Sequence, residues 1–188
     1  MPLSHIGSVD INTERLLLRA FEERDAEAMY ANWCTDPDVT RYLTWQPHKS
    51  IEETRDILTR WVAAYSDNIA TYNWAICFKP NLLPIGSISI ADVSDLHARG
   101  EIGYCIGKPW WGMGIMSETL SAVIRFSFEQ VGFQRLQAVH SLFNPASGRV
   151  MQKVGMQYEG TMRRYSLAND GRKTYDDHLM WAVLRNLV

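Results

Sequence analysis

At Ile106 the hydrophobic period of this 188-residue chain changes. Before it, Thr71 to Phe78, Leu83 to Val93 and Gly100 to Ile106 read as strands, separated by turn residues such as Lys79-Pro-Asn81. Spacing this short favours hairpins, so the three strands are expected as an antiparallel meander. Beyond it, Met116, Leu120, Val123, Ile124 and Phe128 recur at helical spacing up to Gly132. Arg135 to Leu142 is a further strand, and Asn144-Pro-Ala-Ser147 opens a short helix through Val154, stopped by Gly155. A meander that gives way to a strand-helix-strand crossover predicts a mixed sheet.

The flanking segments complete this pattern. Arg15 to Phe21 suits a first strand, Asp25 a helix cap for a helix to about Trp33, and Pro37 closes that region. Ser50-Ile-Glu-Glu53 has the form of a capping box, and Ile57, Leu58, Trp61, Val62 and Tyr65 behind it share one helical face. Tyr158 to Leu167 and Thr174 to Leu184 form a closing pair of strands around the turn Asn169-Asp-Gly171. The expected class is α/β (α+β), with a mixed, mostly antiparallel central sheet of about seven strands flanked by about four helices. Residues 1–12 read as a loosely held N-terminal arm and 13–188 as a single domain, with no repeat or Pro/Gly/Ser linker to divide it.

Charge and cysteine usage exclude several classes of function. Lys plus Arg is 19 and Asp plus Glu 21, a net charge of -2 that gives no footprint for general nucleic-acid binding. Cys34, Cys77 and Cys105 are odd in number and widely spaced, which argues against both a disulfide framework and a metal site. The N-terminus lacks the charged start and apolar core of a secretory signal, and no apolar run is long enough for a membrane span. A cytoplasmic protein without membrane contact is expected.

The segment that can carry chemistry is Glu101-Ile-Gly-Tyr-Cys-Ile-Gly-Lys-Pro-Trp-Trp-Gly-Met-Gly-Ile-Met-Ser-Glu118. A strand leads into a loop holding Gly112 and Gly114, and a helix follows at once. That arrangement leaves backbone N–H groups free at a helix N-terminus, where the dipole favours an anion and glycine lets phosphate oxygens approach. The Gly-Lys-Ser/Thr of a P-loop is absent, and the loop follows a meander rather than the first strand of a dinucleotide fold. From the loop alone, a phosphate cradle and an ordinary glycine-bearing connection stand about even. Asn144 and Ser147, likewise, are good caps for the helix that they open.

With these pieces in this order, the chain resembles the Gcn5-related N-acetyltransferase (GNAT) superfamily, in particular its RimJ/RimL-like ribosomal-protein N-terminal acetyltransferases. The resemblance runs from Thr13-Glu-Arg-Leu-Leu-Leu-Arg19 to Leu179-Met-Trp-Ala-Val183 and rests on Glu101-Ile-Gly-Tyr104, Trp110 to Glu118, and Asn144 to Gly155. The family signature, Arg or Gln, two residues, Gly, one residue, then Gly or Ala, falls on Trp111, Gly114 and Met116, so only the glycine matches strictly. It implies that Trp111, Gly112, Met113, Gly114, Ile115, Met116 and Ser117 form the acetyl-CoA loop, chiefly through main-chain amides. It further implies that Asn144 holds the pantetheine arm and that Ser147 lies near the thioester sulfur. An oxyanion amide is implied within Tyr104, Cys105 and Ile106, with Gly103 permitting a bulge there. Many relatives place a tyrosine acid seven residues beyond the asparagine; here that residue is Met151, and Ser147 inherits the role.

Acetyl transfer to an amine needs a proton acceptor, and Glu101, at the start of the strand that leads into the loop, is the first choice; a solvated strand-end carboxylate is the alternative. His140 is a second base in principle, although a strand histidine satisfied by hydrogen bonds is the commoner case. Cys105 reads as a small buried hydrophobe rather than a nucleophile. Trp110 and Trp111 suit either loop anchors or acceptor walls.

The expected activity is transfer of acetyl from acetyl-CoA, the co-substrate, to a primary amine by direct attack in a ternary complex, with no metal. Branch resemblance puts a protein N-terminal α-amine first as acceptor, and a small amine (antibiotic, polyamine or amino-acid derivative) second. Met116 and the missing tyrosine motivate a third reading, a non-catalytic acyl-CoA-binding sensor. A homodimer is compatible with all three. The acceptor is expected between the first two helices and the last two strands.

Overall fold

The computed structural model describes residues 2–169 and 174–185. The strands among them are β1 (Ile11–Asn12), β2 (Leu16–Arg19), β3 (Tyr72–Phe78), β4 (Pro84–Ser94), β5 (Arg99–Ile106), β6 (Arg135–Ser141), β7 (Gln157–Leu167) and β8 (Tyr175–Leu184). They form one sheet in the order β1-β2-β3-β4-β5-β6-β8-β7. Only β5 and β6 run parallel. The eighth strand beyond the expected seven is β1, two residues long and too short to show a period. The turn expected at Asn169-Asp-Gly171 lies mostly outside the described residues.

Helices cover both faces. On one side lie α1 (Ala26–Met29), α2 (Pro37–Thr40) and α3 (Ile51–Asp67); on the other lie α4 (Ile115–Phe126) and α5 (Pro145–Lys153). The larger core, with Leu18, Trp74, Ile88, Ile102, Leu120 and Val123, lies under α4 and α5, and a smaller one, with Phe21, Met29, Trp33, Leu58 and Cys77, lies under α1 and α3. Alternation along β5 sends Tyr104 and Ile106 to the larger core and Cys105 to the smaller. The sheet therefore separates an α4/α5 face from an α1–α3 face, and β5 contributes side chains to both.

Several local expectations change. The carboxylate expected to cap the first helix is engaged elsewhere: Asp25, almost fully buried, takes a forked pair of bonds from Arg19, both 2.7 Å. The region that follows is divided into a 3-10 turn, a single turn of α1 and a π segment at Tyr30–Cys34. At α3 only half of the capping box forms: Ser50 Oγ accepts from Glu53 N at 3.3 Å, but the Glu53 carboxylate accepts from Lys49 N, one residue earlier than expected.

The N-terminal arm is docked rather than loose. Leu3 sits in the core, Ser4 N donates to Val131 O, and His5 bridges the Tyr72 hydroxyl and Asp95. Its scattered apolar residues carry no period of their own, because their partners are supplied by other elements. No helix among the described residues is long and apolar enough to cross a membrane.

Candidate functional site

The site begins where the only parallel pair ends. β5 and β6 share three register pairs, Arg99 with Arg135, Gly100 with Leu136 and Glu101 with Gln137, and then part. Downstream the strands diverge, β5 towards the glycine loop and β6 towards Asn144. On its other edge β5 keeps a constant register with β4 from Glu101 through Ile106, so the bulge expected at Gly103 is absent; the shift lies between Ala91 and Ser94 instead.

This ladder also decides which amides face the split. Gly107 N donates to Ile85 O, and in an antiparallel ladder alternate residues turn the same way. The amides of Cys105 and Gly103 therefore point to β4, while those of Tyr104 and Ile106 point into the split. Of the three residues expected to offer an oxyanion donor, Cys105 is the one turned away. Its thiol lies 3.3 Å from Ser87 Oγ, and burial pushes its pKa up, away from thiolate character.

The loop after β5 is held open by glycine. Gly112 and Gly114 adopt φ of +75° and +73°, and a methyl group added at Gly112 would meet nothing within 4 Å. Glu118 N, bonded to Gly114 O at 3.1 Å, is the first amide of α4 with a main-chain partner. Among the described residues, the amides from Gly112 to Ser117 find no protein acceptor. Donors gathered at the start of a twelve-residue helix make a cradle that fits a diphosphate. Met116, where the family has a small residue, is buried in the larger core, so its side chain leaves the cradle clear. Met151, which stands in place of the family's tyrosine, is buried in the same core.

Trp110 and Trp111 are loop anchors. Trp110 packs on the core and lies against Gly107, where a Cβ would approach its ring to 2.7 Å. The Trp111 indole N–H donates to Ile106 O at 2.9 Å, although its ring is half exposed.

Across the split stand Tyr104 and Ser147. The Tyr104 hydroxyl lies 2.8 Å from Ser147 Oγ and 3.2 Å from Ser147 O, and burial pushes the phenol up to about 12. Asn144 begins α5 with its Oδ1 accepting from Ser147 N at a long 3.4 Å, a weak cap that leaves its amide NH2 uncommitted among the described residues. His140 is not free to act as a base. Its Nδ1 meets Ser141 O at 2.9 Å, and a carbonyl only accepts, so the proton sits on Nδ1. Nε2 then accepts from the Trp181 indole at 3.1 Å, and burial lowers the ring's pKa.

On the α1–α3 face, register pairing sets Glu101, Gln137 and His178 on one surface. Glu101 Oε2 accepts from Gln137 Nε2 at 3.0 Å. His178 Nε2 lies 2.9 Å from Ser166 Oγ, its ring packs on Tyr165, and its buried Nδ1 has no partner among the described residues. Above them, Asn169 Nδ2 donates to Thr40 O at 2.9 Å and Trp45 O at 2.6 Å, tying the β7 end to the loop between α2 and α3. Sequence reasoning missed the Tyr104 phenol, Gln137, His178 and this Asn169 tie, since each acquires meaning only from a partner distant in sequence. A cleft of about 700 Å³ around His5, Ile69, Asp92 and Asp95 lies at the other end of the β4–β5 ladder from the glycine loop. Among the described residues no cluster of His, Cys, Asp and Glu could hold a metal.

Comparison with known proteins agrees with this geometry. The acetyltransferase (GNAT) domain family matches residues 15–157. The chain belongs to the GNAT acetyltransferase family. The uncharacterized N-acetyltransferase YoaA of Bacillus subtilis is 35% identical over 159 residues, 85% of this chain and 89% of that one. The [ribosomal protein uS5]-alanine N-acetyltransferase of Escherichia coli is 26% identical over 191 residues, 96% and 93% of the two chains. The crystal structure of a GNAT-family acetyltransferase from Bacillus anthracis superposes with a TM-score of 0.81 at 26% identity, covering 95% of this chain and 99% of that one. The protein is accordingly an acetyl-CoA-dependent N-acetyltransferase, with RimJ/RimL-like enzymes among its homologues.

Proposed function

We propose that this acetyltransferase modifies the α-amine of a protein N-terminus, using the split between β5 and β6 as its reaction channel. The observation that carries the reading is the alignment of the acceptor-free glycine loop with a split whose walls are the Tyr104 and Ile106 amides and the Tyr104–Ser147 hydroxyl pair. Bound acetyl-CoA supplies an activated acyl thioester. The amides of Gly112 to Ser117 hold its diphosphate, and Asn144 offers its side-chain amide to the pantetheine arm. The Tyr104 or Ile106 N–H stabilises the oxyanion. Glu101, reached from the α1–α3 face, takes the proton from the attacking amine, directly or through water, with Gln137 fixing its carboxylate. Ser147 passes its hydroxyl proton to the departing thiolate and takes one back from Tyr104 behind it, and the phenolate is reprotonated from water as CoA leaves. A high phenol pKa suits a relay better than outright acid catalysis.

An α-amine, with a pKa near 8, is partly neutral at pH 7, so a single carboxylate serves it better than it would a lysine. The ribosomal-protein alanine and serine acetyltransferases among the relatives support this acceptor and a cytoplasmic setting. The Asn169 tie favours a second reading, a small amine, because it joins the two walls between which a polypeptide would have to enter.

A panel of acceptors separates the two. Thiol release and mass spectrometry should show α-acetylation of peptides with free N-termini and none of N-terminally blocked ones. Turnover of polyamines or aminoglycosides without any of peptides would establish the small-amine reading.

A further inference from the structure

The phosphate cradle draws no cation from its own segment. Trp111 stands where the family signature has Arg or Gln, no residue from Pro109 to Ser117 is basic, and Lys108 is paired with Asp38. The first turn of α4 even adds a negative charge, Glu118. Burial would favour its neutral form, but bonds from Thr13 and Arg15 outweigh that and hold its pKa below the usual carboxylate value.

Arg15, just before β2, meets both halves of this problem. Its Nε donates to Glu118 Oε2 at 2.7 Å and its main-chain N to Oε1 at 3.0 Å, beside a 2.6 Å bond from Thr13 Oγ1. Its Nη1 donates to Met113 O at 2.9 Å and so fixes a carbonyl within the glycine loop itself. A methyl group on Gly114 would lie 3.7 Å from Arg15 Nη2, so this nitrogen sits against the loop, and among the described residues it has no acceptor. The Arg15 side chain is more than a third exposed, open to an approaching anion.

We propose that Arg15 is the charged member of the acetyl-CoA diphosphate site. It cancels Glu118, fixes the Met113 carbonyl within the loop, and adds the field of its free Nη2 beside Gly114. Where the signature's Arg form carries its charge inside the loop, the positive charge comes here from Arg15, just before β2 and nearly a hundred residues earlier in the chain. This inference rests on reading the glycine loop as the acetyl-CoA site.

The test is calorimetric binding of CoA and of pantetheine, which is the same arm without phosphates, to the full-length protein and its Arg15→Gln, Arg15→Lys and Glu118→Gln variants. Arg15→Gln should weaken CoA binding about 10- to 100-fold, the loss expected for a charge-assisted contact, while pantetheine binding stays constant. Arg15→Lys, which keeps the charge but not the fork, should fall between. The salt dependence of CoA binding should flatten in Arg15→Gln. Glu118→Gln gives the sign test and does not depend on how well the Arg15 variants fold: a charge role predicts tighter CoA binding, a purely structural staple predicts weaker. Equal losses for CoA and pantetheine in Arg15→Gln, or weaker CoA binding in Glu118→Gln, would overturn the proposal and leave the cofactor loop standing. A wild-type protein that binds no CoA would overturn the loop assignment as well.

Discussion

The two sides of the β5–β6 split are built by different means. On the α4/α5 side the proposed site is mostly main chain: amides from Gly112 to Ser117, the Tyr104 and Ile106 N–H groups, and the start of α5 at Asn144. On the α1–α3 side it consists of side chains from four strands and a loop: Glu101, Gln137, Tyr165, His178 and Asn169. A main-chain cradle survives exchange of Ala for Met at its rim, because its donors belong to the backbone. A side-chain surface changes with every substitution. The first suits a co-substrate shared across a family, the second an acceptor that differs between members.

Exchanging single residues on either side sharpens this contrast. The largest effect is expected from Glu101→Gln, which should lower kcat about 100-fold or more and flatten the ascending limb of the pH–rate profile, with CoA affinity intact. An unaltered profile would remove Glu101 as the base and turn attention to His178 on the same surface. Asn144→Ala should act on the other side. Its long bond to Ser147 N makes it a poor cap, so the melting loss should stay below about 1 kcal/mol, while KM for acetyl-CoA rises severalfold and KM for the acceptor hardly moves. A large drop in stability with an unchanged KM would return Asn144 to a purely structural role.

The smallest effect concerns stability against pH. Burial lowers the pKa of His48, His140 and His178, so the folded chain keeps them neutral while the unfolded chain binds protons near pH 6.5. The sign follows: the stabilisation is present above that value and is lost as pH falls through the folded values. The melting temperature should decline from pH 7.5 to 5.5 by a few degrees. A flat profile would mean that the imidazoles on both faces titrate alike folded and unfolded.

What could be read in the sequence follows the same division. Strands from Tyr72 to Ile106 and the helices at Ile115 and Pro145 lie close to where periodicity puts them, because each buries one face along a contiguous segment. The glycine loop is legible for the same reason, its geometry being set by neighbours in sequence. Ser147 was legible by its place after Asn144, but its phenol partner was not, since Tyr104 lies forty-three residues away. The docked arm, Asn169 and His178 have meaning only through contacts between distant segments. Asp25 shows the opposite failure: its carboxylate accepts from Glu22 N at 2.9 Å in the preceding 3-10 turn instead of capping α1, and it is held there by the Arg19 guanidinium, which local reasoning does not see.

The divergence of β5 from β6 places two free strand edges inside a sheet rather than at its rim. At an outer rim such edges invite pairing with other chains and are guarded by charge or proline. Here the guard is shape. The two edges separate after Glu101 and Gln137, so an entering strand that paired with one would lose contact with the other within a few residues. An extended occupant that accepts hydrogen bonds from the Tyr104 and Ile106 amides suits such a gap better than a further strand.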